Sequence, residues 1–103
     1  MKLLKPGVRL KSAVCATEIM VIRAPGGEGL LCCGGAEMLA LSETAPAQAR
    51  IDPALAQGSL IGKRYVDAED RVELLCTKAG EGSLTLDGTA LEVKQAKALP
   101  SSD

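Results

Sequence analysis

The chain has 103 residues, a net charge of −1 and one aromatic residue, Tyr65, with no Phe, Trp or His. That length suits a single domain, 1–103, and the near-neutral charge without stacking platforms argues against nucleic acid as a partner. No apolar run approaches the ~18 residues of a membrane span, and Lys2, Lys5, Arg9 and Lys11 interrupt every candidate signal-peptide core.

Residues 10–23 read as extended, because Val14, Thr17, Ile19, Val21 and Ile22 are β-branched. Pro25-Gly26-Gly27-Glu28-Gly29 is a turn signal. Leu30-Leu31-Cys32-Cys33 resumes an apolar run, and Gly34-Gly35 ends it. The pattern predicts a hairpin over 10–38. Residues 39–59 form a polar, small-residue connection. Within it one short helical turn is predicted near 52–57, with Asp52 as N-cap, Pro53 at the first position and Gly58 as the stop.

Residues 60–93 predict a second β-hairpin unit. Its strands are 60–66, 71–78, 83–86 and 89–93, and Asp87-Gly88 is a tight turn. Residues 94–103 are expected to fray. The fold class is therefore all-β: a small barrel or sandwich of two similar β-hairpins with one short helical turn. Residues 22–38 overlay 75–91 without a gap, which places Gly27-Glu28-Gly29 on Gly80-Glu81-Gly82, Leu31 on Leu84 and Met38 on Leu91. Two accounts stand: a pseudo-symmetric pair of hairpins, or the chance likeness of glycine turns.

The core must be built from Val, Leu, Ile, Met and Ala, so it lacks bulky anchors, and a metal or a second copy would strengthen it. The chemically loaded residues are four thiols: Cys15, Cys32, Cys33 and Cys76. The expected compartment is the cytoplasm, where thiols stay reduced and serve as ligands, reactive groups or core filler. Without histidine, a transition-metal site must be mainly thiolate, which suits zinc, iron or copper(I). A knuckle around such a metal needs a turn that aims backbone N–H groups at sulfur, and Cys33-Gly34-Gly35 offers one.

Ser12-Ala13-Val14-Cys15, the glycine turn, Cys32-Cys33-Gly34 and Met38 together resemble the desulforedoxin-type domain of the rubredoxin-like group. The resemblance covers about residues 10–38. It implies one iron or zinc held by a Cys-x-x-Cys pair and a Cys-Cys-Gly pair, in a small redox protein or a module of one. Two departures are visible. Ser12 replaces the first ligand, and extra residues lie in the hairpin and between Cys33 and Met38. Either the metal has been lost or Cys76 supplies the fourth thiolate, which gives a candidate ligand set of Cys15, Cys32, Cys33 and Cys76. No histidine is present for a superoxide reductase centre, so that activity is not implied.

Two other accounts need no metal. Free cysteine packs as a small hydrophobe, and strand alternation would turn Cys32 and Cys33 to opposite faces. Alternatively, a thiol is redox-reactive, with Lys or Arg as the available means of lowering its pKa. Gly62-Lys63-Arg64-Tyr65 reads as a solvated strand edge. No carboxylate pair stands out, and Ser12 has no histidine to activate it, so no catalytic residue is assigned. The leading expectation is a small iron- or zinc-thiolate protein with an electron-transfer or structural role. The alternatives are a metal-free binding or accessory module, acting on a protein partner or as a homodimer, and a thiol-based redox protein.

Overall fold

A computed structural model describes residues 2–94. Apart from Lys94, the tail predicted to fray lies outside them. The described chain is mostly β, in three antiparallel sheets, none of which closes into a barrel. The first half contributes β1 (Lys2–Leu3), β2 (Arg9–Lys11), β3 (Glu18–Arg23), β4 (Glu28–Gly29), β5 (Leu31–Cys33), β6 (Ala36–Glu37) and β7 (Leu39–Ala40). After a crossover that carries a 3-10 turn at Pro53–Leu55 come β8 (Arg64–Val66), β9 (Glu73–Lys78), β10 (Leu84–Leu86), β11 (Thr89–Ala90) and β12 (Glu92–Val93). The six-stranded sheet runs β12-β8-β9-β3-β2-β7, the four-stranded sheet β11-β10-β5-β6, and β1 pairs with β4.

Several predicted boundaries shift. The extended stretch 10–23 is two strands around a loop at 12–17, which Ser12 closes by donating its N–H to the Thr17 carbonyl. The glycine segment 25–29 is not the turn of one hairpin. It carries the chain between sheets, because β3 pairs with β2 and β9 while β5 pairs with β6 and β10. The tight turns fall instead at Gly34-Gly35 and Asp87-Gly88, with Gly34, Gly35, Asp87 and Gly88 all at positive φ. Residues 39–40 belong to β7 rather than to the connection. Of 60–66 only Arg64–Val66 is strand, and 89–93 splits at the buried Leu91 into two strands of different sheets. The helical turn stands where it was predicted, with Asp52 Oδ1 accepting the Ala54 N–H.

The two halves repeat each other around a pseudo-two-fold axis. Arg9, Leu10 and Lys11 pair with Met20, Ile19 and Glu18 as Arg64, Tyr65 and Val66 pair with Leu75, Leu74 and Glu73. β2 meets β7 as β8 meets β12. Between the halves, Ile19↔Cys76 and Val21↔Leu74 exchange about Met20↔Leu75, and Leu84↔Cys33 and Leu86↔Leu31 exchange about Cys32↔Thr85. The loop hydrogen bonds repeat as well. Leu4 N–H reaches Gly27 O as Ser59 N–H reaches Gly80 O, Ser12 reaches Thr17 as Asp67 reaches Val72, and Gly34 reaches Ser83 as Asp87 reaches Leu30. The ungapped alignment therefore holds from β5 onward. Before it, the matching strands lie two positions further apart, because residues 24–30 bridge in the first half what 79–83 bridge in the second.

Alternation explains the core. In β3, Ile19 and Val21 are buried while Met20 and Ile22 are half-buried, and in β9 Leu74 and Cys76 face them across the ladder. Leu4, Leu10, Leu31, Cys33, Met38, Tyr65, Val72, Leu84 and Leu91 complete one cluster. Alternation breaks in β10, where Leu84 and Thr85 are both buried, and at Glu73, a buried carboxylate. It is held by Arg64 and Lys94, each at 2.8 Å, and by Arg23 at 3.5 Å. Among the described residues no helix is long and apolar enough to cross a membrane.

Candidate thiol site

The loop between β2 and β3 carries Cys15, and β5 ends on Cys33. Their sulfur atoms lie 3.7 Å apart. Ser12 shapes the loop from below, because its Oγ accepts the N–H of Val14 and of Cys15, each at 3.1 Å. Cys15 Sγ lies 3.3 Å away; the neutral thiol donates to this oxygen, and the thiolate takes the hydroxyl proton instead.

While Cys15 is a neutral thiol it donates to Thr17 Oγ1 at 3.2 Å, Thr17 donates to Ser59 Oγ and Ser59 to the Gly82 carbonyl. When Cys15 ionises, the one Thr17 proton turns to the sulfur and the bond to Ser59 is given up, while Ser59 keeps the Gly82 carbonyl. The Gly82 N–H turns back and donates to Cys15 Sγ at 3.4 Å. Burial opposes charge on Cys15. The hydroxyls of Ser12 and Thr17 and the backbone N–H groups of Thr17 and Gly82 outweigh it and bring the thiol to about 6. Cys33 behaves in the opposite way. It is fully buried, and burial together with the neighbouring Cys15 charge pushes it up to about 11.

Two glycines make the approach possible. A Cβ at Gly80 would fall within 2.5 Å of Thr17 N and 3.0 Å of Cys15 Sγ, and one at Gly82 would fall 2.6 Å from Cys33 Sγ. The crossover covers the same end of the molecule. Ile51 and Val14 close over Gly34, Asp52 N–H bonds to Gly34 O, and Ser83 N–H bonds to Leu55 O.

The twin half shows what is special here. At the positions equivalent to Thr17, Cys33 and Ser59 stand Val72, Leu86 and Leu4. The same fold thus packs Val and Leu side chains where the thiol end places two hydroxyls and a thiol. Thr17 is 0 % and Ser59 2 % exposed. Burying hydroxyls contributes less to stability than burying methyl groups, so packing alone does not account for this polar cluster.

The four predicted ligands do not come together. Cys15 and Cys33 do. Cys32 faces the other side of β5, half-buried opposite Thr85, and burial and then the Glu37 charge raise its pKa. Alternation within β5 is the reason, since Cys33 takes the core side. Cys76 lies buried on β9, its sulfur donating to Lys78 O at 3.2 Å, and burial raises its pKa. Among the described residues no group of three or more His, Cys, Asp or Glu side chains is arranged to hold a metal ion. Gly34 does take the expected positive φ, but its N–H goes to Ser83 O, and the amide that reaches sulfur is that of Gly82.

The sequence pointed to Cys15, Cys33 and Ser12 and missed Thr17, Ser59, Gly80 and Gly82. Polar Thr17 and Ser59 stand where the other half has Val72 and Leu4, but these pairs lie outside the ungapped overlay of 22–38 on 75–91, so the sequence alone did not mark them. Compared with known proteins, the chain matches no family model, and no curated protein or solved structure is significantly similar to it.

Proposed function

We propose that the domain is a thiol–disulfide redox module, in which Cys15 is the attacking thiolate and Cys33 the thiol that closes the bridge. The observation that carries this is the Cys15–Cys33 sulfur separation of 3.7 Å inside a ring of hydrogen-bond donors. A disulfide needs about 2.05 Å between sulfurs, so the two sulfurs, already at van der Waals contact, have ~1.6 Å left to close on oxidation. Oxidation removes two electrons and two protons from the pair and forms one S–S bond. A thiol titrating near ambient pH is a good attacker, and Cys15 meets that condition without a neighbouring base.

Mild oxidation followed by mass spectrometry tests this. The expected product is an internal Cys15–Cys33 bridge that survives in Cys32→Ser and is absent from Cys15→Ser and Cys33→Ala. A bridge between any other pair refutes the assignment.

A metal reading rests on the same cluster, and one distance favours it. Ligands about 2.3 Å from a tetrahedral metal lie near 3.7 Å from each other. Cys15 and Cys33 would supply two thiolates, with the Ser12 and Thr17 hydroxyls beside them, and the desulforedoxin resemblance would then extend to this site. Elemental analysis separates the two. Stoichiometric iron or zinc together with resistance to oxidation would displace the dithiol reading.

A further inference from the structure

We infer, on the premise that Cys15 and Cys33 form a redox pair, that the oxidant the site accepts is a small hydroperoxide rather than a bulky disulfide. The first ground is space. Cys15 Sγ is bounded at contact distance by Ser12 Oγ, Thr17 Oγ1, Cys33 Sγ and the Gly82 amide, and the Gly80 backbone lies so close that a single added Cβ would meet the sulfur at 3.0 Å. Attack on a disulfide needs the incoming sulfur in line with the S–S bond, with a substituent on both partner atoms. A hydroperoxide presents two oxygen atoms.

The second ground is the kind of donors. The Ser12 and Thr17 hydroxyls and the Gly82 amide N–H lie 3.2–3.4 Å from the sulfur, and an oxygen bonded to that sulfur would meet the same groups. They can stabilise the charge that develops on the leaving oxygen. Among the described residues no Lys or Arg side chain is hydrogen-bonded to Cys15 or Cys33, so the groups at the sulfur itself are neutral donors suited to a small oxygen. The third ground is the twin. At the equivalent end Val72, Leu86 and Leu4 line a pocket with methyl groups beside Asp67, so the hydroxyls of Thr17 and Ser59 are specific to the end that holds the thiols.

The chemistry balances. The Cys15 thiolate attacks the terminal peroxide oxygen, an S–O bond forms and the O–O bond breaks. The product is Cys15 sulfenic acid, and the departing alkoxide or hydroxide takes a proton to become alcohol or water. Cys33 sulfur then attacks Cys15 Sγ, the S–O bond breaks, and the hydroxyl leaves with the Cys33 proton as a second water. Sulfur loses two electrons in total and the peroxide gains them. An external thiol must return the disulfide to the dithiol state.

The test uses the full chain and three oxidants: hydrogen peroxide, glutathione disulfide and diamide. Each rate of Cys15–Cys33 bridge formation is divided by the rate of free cysteine with the same oxidant. The expected result is a peroxide ratio above about ten and a glutathione disulfide ratio below about one. Peroxide should leave Cys33→Ala as a Cys15 sulfenic acid that a cyclic 1,3-diketone traps. Should Cys33→Ala fold poorly, Cys33→Leu, which copies Leu86 of the twin, replaces it. A glutathione disulfide ratio equal to or above that for peroxide, or no diketone adduct at Cys15, overturns the hydroperoxide inference. A bridge formed by diamide or glutathione disulfide alone overturns it while leaving the redox pair intact. No bridge with any of the three overturns the redox pair itself.

Discussion

Replacing Thr17 with Val removes one hydroxyl from the Cys15 sulfur and keeps the shape of the side chain. The fold tolerates this, because Val72 already occupies the equivalent place in the second half, where the loop closes with the same backbone hydrogen bond. Ser59 keeps its bond to the Gly82 carbonyl. A hydrogen bond to a charged group contributes ~1.5–3 kcal/mol. Sulfur is a weaker acceptor than oxygen, and the residue here is half-buried, so the lower end applies. At ~1.4 kcal/mol per pK unit, Thr17→Val should raise Cys15 by about one unit, from about 6 towards about 7. The assay is the rate of iodoacetamide alkylation at Cys15 against pH, with the site identified by peptide mass spectrometry. An unmoved midpoint would falsify the claim that Thr17 donates to the thiolate. A wild-type midpoint near that of free cysteine would refute the whole account of how Cys15 is activated.

Stability should pass through a maximum near pH 8.5, close to the ordinary thiol pKa. Cys15 is lowered on folding, so its contribution is complete above that pH and lost as pH falls through about 6. Cys33 is raised, so its contribution is complete below that pH and lost as pH climbs towards about 11. Thermal melts from pH 5.5 to 10.5 should show a shallower acid limb in Cys15→Ala and a shallower alkaline limb in Cys33→Ala, and unchanged limbs would refute the assignment. Gly82→Ala should cost ~1–3 kcal/mol, because the new Cβ meets Gly34 N at 2.9 Å as well as Cys33 Sγ. Its twin Gly29→Ala should cost less than ~1 kcal/mol, since it meets only the movable ends of Leu4 and Leu86; equal losses in denaturant melts would count against the crowding argument. Glu73→Gln should destabilise by ~1–2 kcal/mol, as three cations lose one buried carboxylate. Arg64→Gln should lose less than ~1 kcal/mol, because its guanidinium is solvent-exposed and Lys94 and Arg23 remain.

Local chemistry was legible wherever it depends on near neighbours in the chain. Asp52-Pro53 and Gly58 marked a helical turn, Asp87-Gly88 marked a hairpin, and the β-branched run in β3 marked a strand. The placement of turns in sheets was not legible. A glycine-rich segment such as 25–29 permits a hairpin or a crossing between sheets, and only the partners of β3 and β5 decide which. The repeat was visible from β5 onward and hidden before it, because loops of different length separate the matching strands and an ungapped overlay cannot follow that change.

By itself, the sequence determined that the chain is β-rich, that its core has one aromatic residue and no histidine, and that its candidate reactive groups are four thiols. It offered the parting of Cys32 and Cys33 as one of two readings, since strand alternation is a property of the backbone, beside a ligand set that kept both. The tertiary structure decided which thiols meet and what surrounds them. Cys15 reaches Cys33 across 18 positions, Thr17 reaches Ser59 across 42, and the amide that supports the Cys15 sulfur belongs to Gly82, 67 positions away. Contacts of that range follow from how the two halves pack about their shared axis. The same packing placed Leu4, Val72 and Leu86 on one side of the axis, and Ser59, Thr17 and Cys33 on the other.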